Sequence, residues 1–448
     1  MSFEFSNKYL KQLSRAVEQE ENEYIINEFD GMHSADISTV MEGLSAEDCK
    51  YILELLNPSV GADVISEIED DTRNNFLTLF TPQELSKYMD NTDSDDAADI
   101  LNDMPVKVRE EVLANMNNNE KVQYIIDLLH YEEDCAGGLM AKELVKANIN
   151  WNVSQCIEEV RRQGQNVDKI YTVYVVDDHD ILLGRISMKK LLIANDLTKV
   201  ADLYEPEIAK VYSYLDEEEV ADIMQHYDLE VIPVINVQGR LLGRITIDDV
   251  VDVITEQAEK DQQAMSGLSE DVEETDSLIA MARARLPWLI VGMSGGLLGA
   301  NFLGGFEEEL SRIPAMAFFI PLITATGGNV GIQSSTIVVQ SLASGGFQGS
   351  AMNRYLRVLV IAILNGLTLA ALVYGFNMVF SDNHQLAIVV SFALFSVIMI
   401  ASFMGTITPL VLSKFGINPA LASGPFITTC NDLIGLGVYF MVAKAMLH

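Results

Sequence analysis

The sequence predicts a multidomain chain. An acidic, α-helical, solenoid-like N-domain comes first, then a duplicated α/β module, a connecting helix and a five-helix transmembrane domain. Three observations carry this prediction. Apolar residues recur at three- and four-residue spacing up to about Glu133. The run Leu182-Leu183-Gly184-Arg185-Ile186 returns as Leu241-Leu242-Gly243-Arg244-Ile245. Five long apolar stretches follow Arg285.

Residues 1–133 form the first domain. Runs such as Tyr51-Ile52-Leu53-Glu54-Leu55-Leu56 have the helical period, and Asn57-Pro58, Thr81-Pro82 and Met104-Pro105 punctuate them, as stacked helix pairs require. Residues 134–200 and 201–257 hold the two copies of the repeat. In each, a β-rich run, Tyr171–Val176 or Val231–Ile235, precedes the repeated strand, and a helix, Met188–Ala194 or Asp248–Thr255, follows it. Strand, turn, strand and helix in tandem resemble a pair of CBS modules, which are regulatory rather than catalytic. Residues 258–284 are polar and mostly acidic, interrupted at Ser266-Gly267, and read as a helix joining the modules to the membrane.

The remaining residues, 285–448, are expected to span a membrane as Pro287–Leu303, Pro314–Ser341, Leu356–Phe380, Leu386–Leu412 and Pro419–Ala445. Each approaches or exceeds the ~20 residues a spanning helix needs. Arg283 and Arg285, Arg354 and Arg357, and Lys414 flank the spans on one side; Glu307, Glu308, Glu309, Arg312, Asp382 and His384 lie on the other. This distribution puts the N-terminal domains in the cytoplasm and, with five spans, the C-terminus outside. The polar segment Met1–Glu20 gives no expectation of a signal peptide.

Charge divides the chain. From Arg285 onward it carries six basic and five acidic side chains, so of the net −36 the part before Arg285 holds −37. Such an acidic front part excludes nucleic acid as a partner, because phosphates need Lys and Arg, and points to cations. Cys49, Cys135, Cys156 and Cys430 have neither zinc nor disulfide spacing and are expected to be reduced thiols.

Asp432 lies alone in the last apolar stretch, with no other acidic residue between Phe415 and the C-terminus. A carboxylate at the bilayer centre costs on the order of 3 kcal/mol, so it is expected to face water, a partner or an ion. No Lys or Arg is expected inside a span to neutralise it; a hydrogen-bonded helix contact is the structural alternative.

In order and spacing, these parts resemble the MgtE family of magnesium channels over essentially the whole chain. The residues carrying the likeness are Arg285-Leu286-Pro287-Trp288-Leu289, Gly327-Gly328-Asn329-Val330-Gly331-Ile332-Gln333, Asn418-Pro419-Ala420, Gly424-Pro425-Phe426, and Thr428-Thr429 with Asp432 and Gly435. The resemblance implies a homodimeric, magnesium-selective channel or transporter of the plasma membrane, surrounded by lipid, with no enzymatic activity. Magnesium would be both cargo and regulator. The pore would lie on the twofold axis, with two copies of Asp432 facing each other, the Thr428 carbonyl one turn earlier, and Asn329 and Gly328 nearby. Magnesium keeps its water and prefers octahedral oxygen ligands, so a pore would hold the hydrated ion. Gly-Pro and the glycines of the second span are expected either to open helices toward a cavity or to permit close packing.

The sensor residues implied by the resemblance are acidic. Asp95 and Asp99, at i,i+4, and Asp249 and Asp252, at i,i+3, each share a helix face. Asp216, Glu218 and Asp228 add charge in the second module, and Asp261 adds it in the connecting helix. In the family, cytosolic magnesium bridges such residues and closes the pore; a solvated acidic surface is the alternative. The chain departs from the family pattern at Gln257 and Lys260, which stand at usually acidic positions, and at Asn418, where the family has Asp. Either a direct Lys260–Asn418 contact or weaker magnesium inhibition would follow. The resemblance allows ATP in the CBS pair, but Lys189 and Leu229 stand where relatives use Arg and an aromatic, and no ATP site is expected from them.

Three other functions compete. A proton-coupled secondary transporter of divalent cations such as Mg or Co would use Asp432 as the proton carrier. An intramembrane aspartyl protease needs two carboxylates sharing a proton, and only one lies within the spans of a chain. A receptor that senses without transporting would show no flux.

Overall fold

The computed structural model describes residues 7–68, 70–164, 167, 169–269, 272, 277–343, 351–380, 383–422 and 424–447, with the backbone alone at 70, 71, 351–355 and 447. Asp382, His448 and the Arg354 side chain, used above for orientation, lie outside the described residues, as do 273–276 of the expected connecting helix. The chain divides into two compact units, Met1–Ile254 and Thr255–His448.

The first unit opens with short helices from Asn7–Glu18 to Asn119–Leu128. Each of the three X-Pro breaks starts a helix, because Pro is tolerated where no intrahelical N–H bond is needed. Pro58 and Pro82 occupy first-turn positions, and Pro105 caps Val106–Asn115. Thr81 and Glu84 form a reciprocal capping box. Alternate helices pack together, Ser34–Glu42 on Pro58–Glu67 and Pro82–Met89 on Val106–Asn115, as in a solenoid. Ile52, Leu53, Ile65, Phe76, Met89 and Leu101 fill the core between them.

Two three-stranded sheets follow. Strands β1 (Lys146–Asn148), β2 (Val173–Val176) and β3 (Leu182–Ile186) stand in that order, with β1 parallel and β3 antiparallel to β2. Strands β4 (Val211–Tyr212), β5 (Val231–Ile235) and β6 (Leu241–Thr246) repeat the topology. The repeated glycine has the same cause in both copies. A β-carbon on Gly184 would overlap the Glu205 carbonyl, and one on Gly243 would lie 2.6 Å from the Ala141 carbonyl. The close approach of another backbone thus explains this part of the internal repeat.

The helix after β6 runs unbroken through Ile247–Ser266, so the helix of the second module and the start of the connecting segment are one element. It stops at Gly267, whose φ of +83° ends the helix at low cost, and the next helix begins at Leu278, capped by Ser277. A single helix over 258–284 is therefore not formed.

The second unit has five helices long and apolar enough to cross a membrane. These are span 1 (Leu278–Gly304), span 2 (Pro314–Ala343), span 3 (Leu356–Phe380), span 4 (His384–Lys414) and span 5 (Pro419–Met446). Span 4 forms the core, burying Leu386, Val390, Ala393, Val397 and Ile398, while Leu364, Leu367, Leu372 and Phe376 of span 3 stay exposed, as a lipid-facing helix requires. Glycines let the helices approach: a β-carbon on Gly295 of span 1 would overlap Thr429 of span 5.

Candidate ion sites

Carboxylates gather in a cavity of about 140 Å³ in the first unit, lined by Asp93, Asp95, Asp96, Asp248 and Asp249 together with Lys169, Tyr171, Arg244 and Thr246. Two chain segments deliver them. Asp93 is the N-cap of Ser94–Asn102, and Asp95 and Asp96 lie in its first turn. Asp248 and Asp249 lie in the first turn of Ile247–Ser266, where Asp249 Oδ2 accepts from Thr246 N at 3.0 Å and Thr246 Oγ1 at 2.7 Å. Both helix starts favour negative charge.

Burial opposes that charge. Asp95 is 8% exposed, and its carboxyl is held well above the usual range, first by desolvation and then by Asp96 and Asp249. Asp96 is pushed up to about 6, mainly by burial, although a Ser66 hydrogen bond works against the shift. Asp249 is also raised by burial, with the Thr246 bonds in opposition. Arg244, 6% exposed, supplies an internal cation; one guanidinium N–H donates to the Lys169 carbonyl at 3.0 Å, and the group lies over the Tyr171 ring. Nearby, Ser94 Oγ donates to buried Glu143 at 2.6 Å and accepts from Lys142 N at 3.0 Å.

Several expected pairings are not made. Asp95 faces the cavity, whereas Asp99 is exposed one turn along the helix and lines no part of it. Asp252 bears the same relation to Asp249. A helical turn of 5.4 Å carries the second residue past the edge of so small a space. Asp216 is exposed and accepts from Glu218 N as the cap of Glu217–His226; Glu218 and Asp228 are exposed as well. Asp93, Asp96, Asp248 and Arg244 are the members that pairwise spacing missed. The acidic run Asp93–Asp96 and the arginine of the repeat were the available signals. Lys189 is exposed and Leu229 half-buried. Among the described residues no three acidic, His or Cys side chains come close enough to hold a bare metal ion. The donors are nonetheless all-oxygen and the cavity has room for water, which fits an ion that keeps much of its hydration.

In the second unit Asp432 lies half-buried on the helix Gly424–Leu447. A β-carbon on Gly328 of span 2 would lie 3.1 Å from Thr428 Cγ2 and 3.6 Å from Asp432 Oδ1, so Gly328, Thr428 and Asp432 meet as expected. Asn329 is exposed on the next position of span 2. The expected helix opening does not occur. Gly327, Gly328 and Gly331 lie inside the continuous helix Ile320–Ala343 and serve close packing, and Gly424-Pro425 begins a helix. Thr428 is likewise inside a helix, where a carbonyl bonds along the chain; its hydroxyl donates to the Gly424 carbonyl at 2.9 Å. Two cations do lie within the expected spans: Arg357, exposed at the start of the third, and Lys444, in the final helical turn of the last, 3.7 Å from Glu309. Only Lys444 shares a helix with Asp432. Lys444 is about 18 Å along the helix from Asp432 at 1.5 Å per residue, too far to neutralise it.

Where the family pattern is broken, the contact differs from the expected one. Lys260 pairs with Glu256 at 2.6 Å, and it is the neighbouring Asp261 that accepts from Asn418 Nδ2 at 3.0 Å. Asn418 Oδ1 in turn accepts from Ala420 N at 2.8 Å. Beside this contact Ala264, Val339 and Ala420 form a small core, and a β-carbon on Gly424 would overlap the Met265 carbonyl.

Helical acidic domain, CBS pair and five-span domain with a lone intramembrane carboxylate define a class, the multi-pass cation transporters that carry cytosolic modules. Residues 320–442 match the divalent cation transporter model MgtE, 32–134 the MgtE intracellular N domain, and 136–195 and 200–256 the CBS domain. The chain is 31% identical to the magnesium transporter MgtE of Thermus thermophilus, covering 97% of this chain and 98% of that one. It is 31% identical to the magnesium transporter MgtE of Enterococcus faecalis over 94% and 93% of the two chains. A solved structure described as the cytosolic domain of the Mg2+ channel MgtE in complex with ATP is similar at a TM-score of 0.51 and 29% identity, covering 55% of this chain and 99% of that one. The soluble part of a magnesium transporter is similar at 0.50 and 28%, covering 56% and 98%. The chain belongs to the MgtE family of magnesium transporters.

Proposed function

We propose that the protein is a magnesium-selective channel of the plasma membrane. It works as a homodimer with the pore on the twofold axis and the C-terminus outside, and cytosolic magnesium closes it. The observation that carries the reading is Asp432, an acidic side chain at membrane depth set against Gly328 and Thr428. Among the described residues, the ion pairs Arg312–Glu308 and Lys444–Glu309 do not involve it. A carboxylate so placed needs a cation or water in front of it. Two copies across a twofold axis would supply two charges to a hydrated divalent ion, and exposed Asn329 would be available to the same path.

The closing signal is assigned to the acidic cavity. A divalent cation there would offset the repulsion among Asp93, Asp95, Asp96, Asp248 and Asp249 and hold the two contributing helix starts together. Asp216, Glu218, Asp228, Asp99 and Asp252 would add an outer acidic field, and Asp261 would add its charge beside Asn418, from which it accepts a hydrogen bond. Magnesium flux into liposomes, with magnesium varied on the cytosolic side, tests both halves. Asp432-dependent flux that falls as cytosolic magnesium rises is expected. Flux driven by a proton gradient would select the proton-coupled transporter instead, and no flux would leave a sensor without a pore.

A further inference from the structure

We propose that Asn431 is a positioning residue for the ion site, fixing the register of span 5 on span 2 through Gly331. The proposal rests on the ion-path reading of Asp432. Asn431 is 2% exposed, and among the described residues neither Nδ2 nor Oδ1 has a hydrogen-bond partner. Its amide offers two donors and an acceptor, and burying them unmet among apolar helices is unfavourable. A leucine of similar size would fill the space without that cost, so the amide points to a use other than filling.

The contacts around it indicate the use. A β-carbon on Gly331 would overlap Asn431 Nδ2 and lie 3.4 Å from Ile427 Cγ1, so the amide occupies space that only glycine leaves open. Span 4 holds the same stretch of span 2 from another side, since a β-carbon on Gly405 would overlap the Gly331 carbonyl. The backbone that receives Asn431 is thereby itself held by a third helix. Gly328 and Gly331 are i,i+3 on one face of span 2, and Asn431 and Asp432 are adjacent on span 5. The Asn431–Gly331 and Asp432–Gly328 contacts therefore share one register. Displacing the first moves the Asp432 carboxylate relative to span 2, and with it the geometry presented to a hydrated ion.

The test is a double-mutant cycle on the full-length protein in liposomes, read as the ratio of magnesium to manganese flux. Gly331→Ala, whose new β-carbon meets the amide, should lower that ratio about tenfold, the scale of coupling between residues in contact. Asn431→Ala should lower it less, and Gly331→Ala/Asn431→Ala should restore most of what Gly331→Ala loses, because the obstructing amide is gone. An unchanged ratio in Asn431→Ala, or no recovery in a monodisperse double variant, overturns the proposal. Should Gly331→Ala fail to fold, the Asn431→Ala ratio alone decides. Asp432→Ala serves as the control: if it carries normal flux, the pore reading fails, whereas Asp432-dependent flux indifferent to 331 and 431 sinks only this proposal.

Discussion

The acidic cavity of the first unit and the lone carboxylate of the second hold buried negative charge in opposite ways. The cavity collects five aspartates from two helix starts and sets Arg244 and Lys169 among them. The carboxyls of Asp95, Asp96 and Asp249 are held high by burial first and then by neighbouring acidic groups. Asp432 has no such company; it is one carboxylate against a glycine ridge, with the only cation of its helix a long way off. The proposed sensor thus gathers charge, and the proposed passage presents a single carboxylate.

The largest test of the contrast is Asp432→Ala, which should abolish magnesium uptake while leaving membrane expression and cytosolic magnesium binding intact. Normal transport by that variant would erase the distinction. Next, Asp95→Asn/Asp249→Asn should raise the cytosolic magnesium needed for half-inhibition about tenfold, equivalent to about 1.4 kcal/mol of lost binding. Unchanged inhibition would move the sensor elsewhere.

A smaller effect is expected where the two units' shared helix ends. Lys260→Glu/Asn418→Asp replaces the amide that now meets Asp261 with a carboxylate, creating a site that a divalent cation would have to bridge. Magnesium inhibition should then sharpen about threefold, or about 0.7 kcal/mol; no gain in sensitivity would remove the idea that a neutral contact has replaced a metal bridge here.

The smallest expected effects concern protons. Because the folded carboxyl of Asp96 is raised to about 6, the native state binds more protons than the unfolded chain between about pH 4 and 6. Metal-free stability should therefore fall as pH rises through that window. Asp96→Asn should raise the metal-free unfolding temperature above pH 6 by about 2–4 °C, the shift that about 1 kcal/mol gives in a unit of this size. Magnesium affinity at the cavity should weaken as pH drops below about 6, since protons then compete for the same oxygens; calorimetric titration at pH 5.5 and 7.5 would detect it. A flat profile would mean that Arg244 already neutralises the site.

Much of this was legible in the sequence because it depends on local pattern. Spans follow from apolar length, helix starts from X-Pro and Thr-x-x-Glu, and the paired sheets from a repeated five-residue run. Asp432 was legible too, since an isolated charge in an apolar helix is conspicuous without any structure. The sites were read less completely. Helical spacing paired Asp95 with Asp99 and Asp249 with Asp252, yet the fold paired Asp95 with Asp249 across 154 positions, because contacts between elements have no period along the chain. The separation of Lys444 from Asp432, by contrast, follows from the sequence alone, since both lie on one helix and helical rise sets it.

By itself the sequence determined the five spans, the duplicated α/β module and the one carboxylate that must face something polar. Only the tertiary structure decided which carboxylates share a cavity, that Asp261 rather than Lys260 meets Asn418, and that the glycines of span 2 pack instead of opening. The reason is common to all three. Local pattern fixes which way a side chain points along its own element, whereas what it meets depends on how closely a second backbone can approach, and in this chain glycines at Gly184, Gly243, Gly328 and Gly331 set that distance.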